Sequence, residues 1–193
     1  MAERDYQVRP AFASEVPRLL EIAAAVQDKL TRAGSAQQIA GYTYQNLEER
    51  VRNFELYVLE LSGCPIGSAI VEPVTPERFP QISTWNAVPV DCTAWFLYGL
   101  IISPTHQGRG WGRVLLDGLC RQVPFASPAV LLLDCWAGNA TLRRFYAEAG
   151  FELHGEFPEE DYWIAVFRRQ LDEKAKNPPL RGAETKPRIP VLV

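Results

Sequence analysis

The chain has 193 residues, 47% of them hydrophobic, which is enough for one sizeable buried core and short for two full domains. Its formal net charge of -3 lacks the clustered Lys and Arg that phosphate binding by nucleic-acid proteins demands, so nucleic acid is a poor partner. The longest apolar stretch, Ala94 to Ile102, is well short of the roughly 18 residues of a membrane span, and the mixed charges of Met1 to Asp5 leave no apolar signal region.

Cys64, Cys92, Cys120 and Cys135 are widely spaced and have only His106 and His154 to complete any metal site, so free thiols in the cytoplasm and no metal are expected. Tyr6 to Phe12 alternates as an opening strand, and Ser14 offers an N-cap to a helix with Val16, Leu19, Leu20, Ala23, Val26 and Leu30 on one face. A second helix is expected from Gln37 to Arg52, then a hairpin of Leu56–Leu61 and Pro65–Val71 about the turn Ser62-Gly63-Cys64. Pro73 to Asp91 carries Pro73, Pro76, Pro80 and Pro89 and reads as a long surface excursion. Thr93 to Ile102 has the pattern of a strand buried on both faces, with Gly99 marking a bulge or a close backbone approach.

A helix from Gly110 to Val123, a strand from Ala129 to Leu133 and a helix from Asn139 to Ala149 follow. That alternation implies a parallel strand pair. Phe151–Phe157 and Tyr162–Arg168, joined by an acidic turn, close the domain. The expected fold is a single α/β (α+β) domain over residues 1–171, with a mixed, mostly antiparallel sheet flanked by helices. Residues 172–193 form a Lys-, Glu-, Pro- and Ala-rich tail whose apolar end, Ile189 to Val193, suggests packing on a second copy in a homodimer.

Gln107-Gly108-Arg109-Gly110-Trp111-Gly112 follows a buried strand and opens a helix, so successive backbone N–H groups can converge on an anion. Gly108, Gly110 and Gly112 permit close approach, and Arg109 and Arg113 can add charge-assisted bonds to phosphate. No Gly-Lys-Ser or Gly-Lys-Thr follows, so this is not a Walker loop, and the glycines are not spaced as in the dinucleotide fingerprint.

With the preceding Leu100-Ile101-Ile102-Ser103-Pro104 and the later Asn139, Tyr146 and Gly150-Phe151, the turn resembles the signatures of the GNAT superfamily of N-acetyltransferases. The resemblance implies acetyl-CoA as co-substrate. Leu100, Ile101 and Ile102 would pair with its pantetheine arm, Gln107 to Arg113 would hold its pyrophosphate, Asn139 would bond the pantetheine or phosphate region, and Tyr146 would face the thioester sulfur.

Acetyl transfer to an amine needs a neutral nucleophile, a stabilised oxyanion and a proton for the leaving thiolate. Tyr146 suits the last role, and it also fits an ordinary core aromatic. The strand from Trp95 to Leu100 lacks the glutamate base that relatives often carry, which leaves Tyr98, Glu72, Asp91, Asp134 or a chain of waters. Trp85, Trp95, Trp136 and Trp163 are candidates for a substrate wall. The expected activity is direct transfer of acetyl to a primary amine, either a small molecule or the amino group of a peptide. The alternatives are a non-catalytic acyl-CoA-binding protein on the same scaffold and an interaction protein that works through its tail.

Overall fold

The computed structural model describes residues 5–39, 41–126, 128–159 and 161–171, so the expected dimerising tail lies outside the described residues. Seven strands form one sheet in the order β1-β2-β3-β4-β5-β7-β6. They are β1 (Tyr6–Pro10), β2 (Leu56–Leu61), β3 (Cys64–Pro73), β4 (Thr93–Ile102), β5 (Ala129–Trp136), β6 (Glu152–Glu159) and β7 (Tyr162–Leu171). Every neighbouring pair is antiparallel except β4 and β5, the pair joined through a crossover helix. The expected fold class holds.

One face of the sheet is covered by α1 (Val16–Arg32) and α2 (Tyr44–Arg52), with α3 (Pro80–Trp85) further along it. The other face carries α4 (Trp111–Gln122) and α5 (Ala140–Glu148). In α1 the residues Val16, Leu19, Ile22, Ala23 and Val26 are buried as one stripe, which makes the amphipathic pattern a packing interaction. Ser14 does not cap this helix. Glu15 accepts the Phe12 N–H at 2.8 Å and pairs with Arg9 at 2.6 Å, while Arg9 also reaches Glu60 at 2.5 Å, so a carboxylate and its ion pairs fix the helix entry.

Two further boundaries differ from expectation. α2 starts at Tyr44 because Thr43 accepts the Asn46 N–H as its N-cap and Gly41 turns the chain at φ 83°. The side chains before it serve other elements: Gln37 accepts the Trp136 N–H at 2.9 Å, and the Tyr42 hydroxyl donates to the Gly99 carbonyl at 2.7 Å. Pro73 to Asp91 is no mere surface excursion, since α3 buries Ile82 and Trp85 against Phe96, Val130, Leu132 and Ile164 of the sheet. The proline-rich composition obscured a helix only six residues long.

The sheet opens at its centre. β4 and β5 pair only from Thr93–Phe96 with Ala129–Leu132, and beyond that register the strands part. β4 also bulges there: Ser68 faces Ile101 and Ile70 faces Tyr98, so two steps on β3 oppose three on β4, and Gly99 takes φ 59°. The expected bulge at Gly99 is present.

A buried ion cluster clamps α2 to this part of the sheet. Arg50, 3% exposed, places Nη1 at 2.6 Å from Glu55 and 2.7 Å from Glu72, and Arg78 reaches Glu72 at 2.5 Å. The Tyr98 hydroxyl donates to the other Glu72 oxygen. Removing Arg50 leaves two buried carboxylates to the half-exposed Arg78, so Arg50→Ala should lower stability by about 3 kcal/mol in urea titration. Arg50→Lys, which keeps the charge and loses the fork, should cost clearly less.

Candidate active site

The opening between β4 and β5 is bounded at the end of β4 by the glycine turn. Gln107 ties the two together, its Nε2 donating to the Ile102 carbonyl at 2.9 Å while its Oε1 accepts from Lys29 at 2.5 Å. Gly110 is the N-cap of α4 in the left-handed conformation, φ 81°, and no side chain caps the helix. A side chain built on Gly108 or Gly110 would meet nothing within 4 Å, so the space above the turn is open on the protein side. An uncapped helix start beneath open space fits a pyrophosphate, and the residues present therefore suit the phosphate end of acetyl-CoA.

Leu100, Ile101 and Ile102 lie on the parted stretch of β4, with Ile101 and Ile102 buried by their side chains and the backbone paired on the β3 side. Trp111 packs inside the core, edge-on to Tyr6. Arg109 stands in the turn itself, while Arg113 is drawn along α4, its Nε to Asp117 at 2.8 Å and its Nη1 to the Glu148 carbonyl at 2.8 Å. On the β5 side, Asn139 caps α5 by accepting the Leu142 N–H at 3.0 Å. Tyr146 sits seven residues on, about 10 Å along that helix. It is 6% exposed, packed on Phe145, Phe151 and Phe167, and burial, with Cys135 and Asp134 nearby, pushes its phenol well above the ordinary value. A phenol so held stays protonated and can serve only as a donor.

On the opposite face, the opening ends in a cavity of about 370 Å³. Tyr98 of β4, Asp134 and Trp136 of β5 and Tyr162 of β7 line it from the sheet, and Gln37 and Phe79 close it from the segments before α2 and α3. A larger, shallower cavity of about 570 Å³ lies at Thr93–Trp95, the far end of β4 and some 20 Å from the turn by strand rise, too distant to share a reaction with it.

The four candidate bases separate cleanly. Glu72 is held by Arg50, Arg78 and Tyr98; Tyr98 donates to Glu72, and burial raises its phenol further; Asp91 lies in an exposed turn at φ 62°. Asp134 alone lines the cavity as an uncommitted carboxyl, with no hydrogen-bond donor or ion-pair partner among the described residues. Burial, helped by the charge of Glu159, pushes it up to about 6.

His106 bonds Thr105 at the rim of the turn and His154 bonds the Trp85 carbonyl while stacking on Phe157, so both are structural. Of the four tryptophans expected as a substrate wall, Trp136 lines this cavity and Trp85, Trp95 and Trp163 do not. Gln37, Gln38 and Phe79 of its wall come from irregular segments, and Gln81 from the six-residue α3, none of which carries a clear periodic signal. Among the described residues no cluster of three His, Cys, Asp or Glu could hold a metal, and no helix is long and apolar enough to cross a membrane.

An aspartate raised to about 6 destabilises the native state once the unfolded chain ionises, from about pH 4 upward, and the penalty is complete above pH 6. Asp134→Asn should therefore stabilise the protein at pH 7.5 by about 1–2 kcal/mol, with the gain shrinking to nothing as the pH falls towards 4. Thermal melts across that range check it.

Residues 22–151 match the model of the acetyltransferase (GNAT) family. Among solved structures, the fold is similar to a GNAT-family acetyltransferase from Streptococcus agalactiae (TM-score 0.72, 17% identity, 89% of this chain and 99% of that one). It is similar also to a ribosomal-protein-alanine N-acetyltransferase from Brucella melitensis (TM-score 0.58, 22% identity, 85% and 99%). A third likeness is to N-acetylglutamate synthase from Neisseria gonorrhoeae complexed with coenzyme A and N-acetyl-glutamate (TM-score 0.57, 20% identity, 89% and 36%). No curated protein matches by sequence. A family match over more than half of the chain, on a sheet that parts beside an open glycine turn, means that the chain belongs to the acetyltransferase (GNAT) family.

Proposed function

We propose that the chain moves an acetyl group from acetyl-CoA to a primary amine by direct attack. The observation that carries this reading is the opening between β4 and β5, with the glycine turn at one end and a carboxylate-bearing cavity at the other. The solved relative that holds coenzyme A lends support to the donor, and the protein and amino-acid N-acetyltransferases among the relatives lend support to an amine acceptor.

In this reading the turn from Gln107 to Gly112 and the start of α4 hold the pyrophosphate. The backbone of Leu100 to Ile102 holds the pantetheine arm, with Asn139 contributing from the β5 side. The thioester supplies the activated acetyl group. A backbone N–H of the parted β4 stretch steadies the oxyanion, where a fixed donor costs no reorganisation. Tyr146, whose phenol stays protonated at neutral pH, gives its proton to the thiolate as the C–S bond breaks.

Calorimetric titration should show acetyl-CoA binding to the wild type. Gly110→Asp, which sets a negative charge against the pyrophosphate, should weaken it on the order of 100-fold. Gly110→Asn is the control for backbone strain, since asparagine tolerates the left-handed conformation without the charge, and should bind closer to wild type. Tyr146→Phe should keep that binding and lose about 100-fold in kcat across an amine panel. A folded wild type that does not bind acetyl-CoA would sink the reading.

A further inference from the structure

We infer that the acceptor is a small primary monoamine on a flat aromatic stem, seated in the cavity between β4 and β5 with its ammonium on Asp134, which takes the proton the amine must lose. This rests on the acetyl transfer proposed above and narrows its acceptor.

The lining selects for that chemistry. Phe79, Phe96, Tyr98, Trp136 and Tyr162 give the cavity aromatic walls, and Gln37, Gln38 and Gln81 give it neutral amides. Flat rings pack against such walls, and ring faces attract a cation. Among the described residues Asp134 is the one carboxylate of the lining, and no described Lys or Arg lines the cavity. An acceptor that carries its own carboxylate or phosphate would therefore bury a charge with no counter-ion. A polyamine would need further anions, and the neighbouring Glu72 is already held by Arg50, Arg78 and Tyr98.

Shape argues against a peptide. The Gln37 side chain bonds the Trp136 N–H at 2.9 Å and so straps the segment before α2 to β5, while Phe79 and Gln81 close the cavity from α3 and the loop before it. What remains is a half-open pocket of about 370 Å³, towards the lower end of small-molecule sites and small for an extended peptide.

Among the described residues, the titratable groups that couple to Asp134 or line its cavity are Glu159 of β6, Tyr98 of β4, Tyr146 of α5, Tyr162 of β7 and its neighbour Cys135. Burial, with the charge of Glu159, holds the carboxyl up, to about 6, which leaves it ionised at neutral pH and a stronger base than a free aspartate. The ammonium gives a proton to Asp134. The neutral nitrogen attacks the thioester carbonyl, the N–C bond forms, and the C–S bond breaks. The nitrogen loses its second proton to water, the thiolate gains one from Tyr146, which is reprotonated from solvent, and Asp134 returns its proton to solvent, so that one proton in net is released.

Two titrations of the full chain test the pocket without acetyl-CoA: 2-phenylethylamine, and 3-phenylpropionate, whose stem is similar and whose charge is opposite. The wild type should bind the amine at least tenfold more tightly than the acid, and Asp134→Asn should lose at least tenfold for the amine. Equal or tighter binding of the acid, or unchanged amine binding in Asp134→Asn, overturns the inference. Thiol release with acetyl-CoA is then followed for 2-phenylethylamine, spermidine and an alanine-initiated peptide.

The aromatic amine should lead in kcat/KM by at least tenfold, on a profile that rises through pH 6 in the wild type and loses that limb in Asp134→Asn. A preference for spermidine or the peptide overturns the acceptor class and leaves acetyl transfer standing. No turnover of any amine, with 2-phenylethylamine still bound, overturns acetyl transfer and the proton role of Asp134 together.

Discussion

β4 and β5 begin in parallel register and part after Phe96 and Leu132, and the site follows from that separation. Backbone polar groups inside a sheet are costly to leave unpaired, on the order of 1–3 kcal/mol each when buried. The opening is sustained because segments outside the sheet supply substitutes. The Tyr42 hydroxyl serves the Gly99 carbonyl, the Gln107 amide serves the Ile102 carbonyl, and the Gln37 carbonyl oxygen serves the Trp136 N–H. Each substitution also fixes a wall: Tyr42 and Gln37 hold the irregular segment before α2 over one mouth, and Gln107 holds the glycine turn at the end of β4. The bonds that keep the sheet apart are thus the bonds that position what surrounds the gap.

Two carboxylates near this gap show how environment assigns roles to chemically similar groups. Glu72 of β3 is almost wholly buried, yet two guanidinium groups pair with one of its oxygens and a phenol donates to the other, so it joins α2 and the α3 approach to the sheet. Asp134 of β5 is half-buried and meets the charge of Glu159 instead of a cation. The first arrangement holds the fold together because either partner, left alone, would be a buried charge. The second is unfavourable to the fold, and a carboxylate kept in such a place is available to a ligand that brings the missing cation.

Much of this was legible in the sequence. The strands and long helices follow from periodicity, and the parallel pair follows from strand, helix, strand between Thr93 and Leu133. The glycine turn is recognisable because its spacing and its place after a buried strand are both local. α3 was hidden because six residues in a proline-rich stretch carry no measurable period, although they bury Trp85. The start of α2 was misjudged because the polar run before Tyr44 looks helical, while its glutamine and tyrosine side chains bond to strands far along the chain. Ranking Asp134 above Glu72 was not open to sequence reading, since the difference lies in Arg50 and Arg78, which reach Glu72 only in the fold.

Strand alternation on β5 sets the order of the chemistry. Leu133 and Cys135 point into the core shared with Tyr146, while Asp134 and Trp136 line the cavity on the other face. A carboxyl and a phenol thus flank the same gap from opposite sides, an arrangement that suits the proposed reaction, with an amine entering from one face and a thiolate leaving towards the other. Cys135 is the thiol nearest to hand for an acyl-enzyme route, but it is fully buried and its pKa is pushed up to about 12, first by burial and then by Asp134. At neutral pH such a thiol supplies almost no thiolate, and the thiolate is the nucleophilic form. A covalent relay through Cys135 would therefore have to overcome the neighbouring Asp134 carboxylate, and the direct attack proposed above has no such conflict.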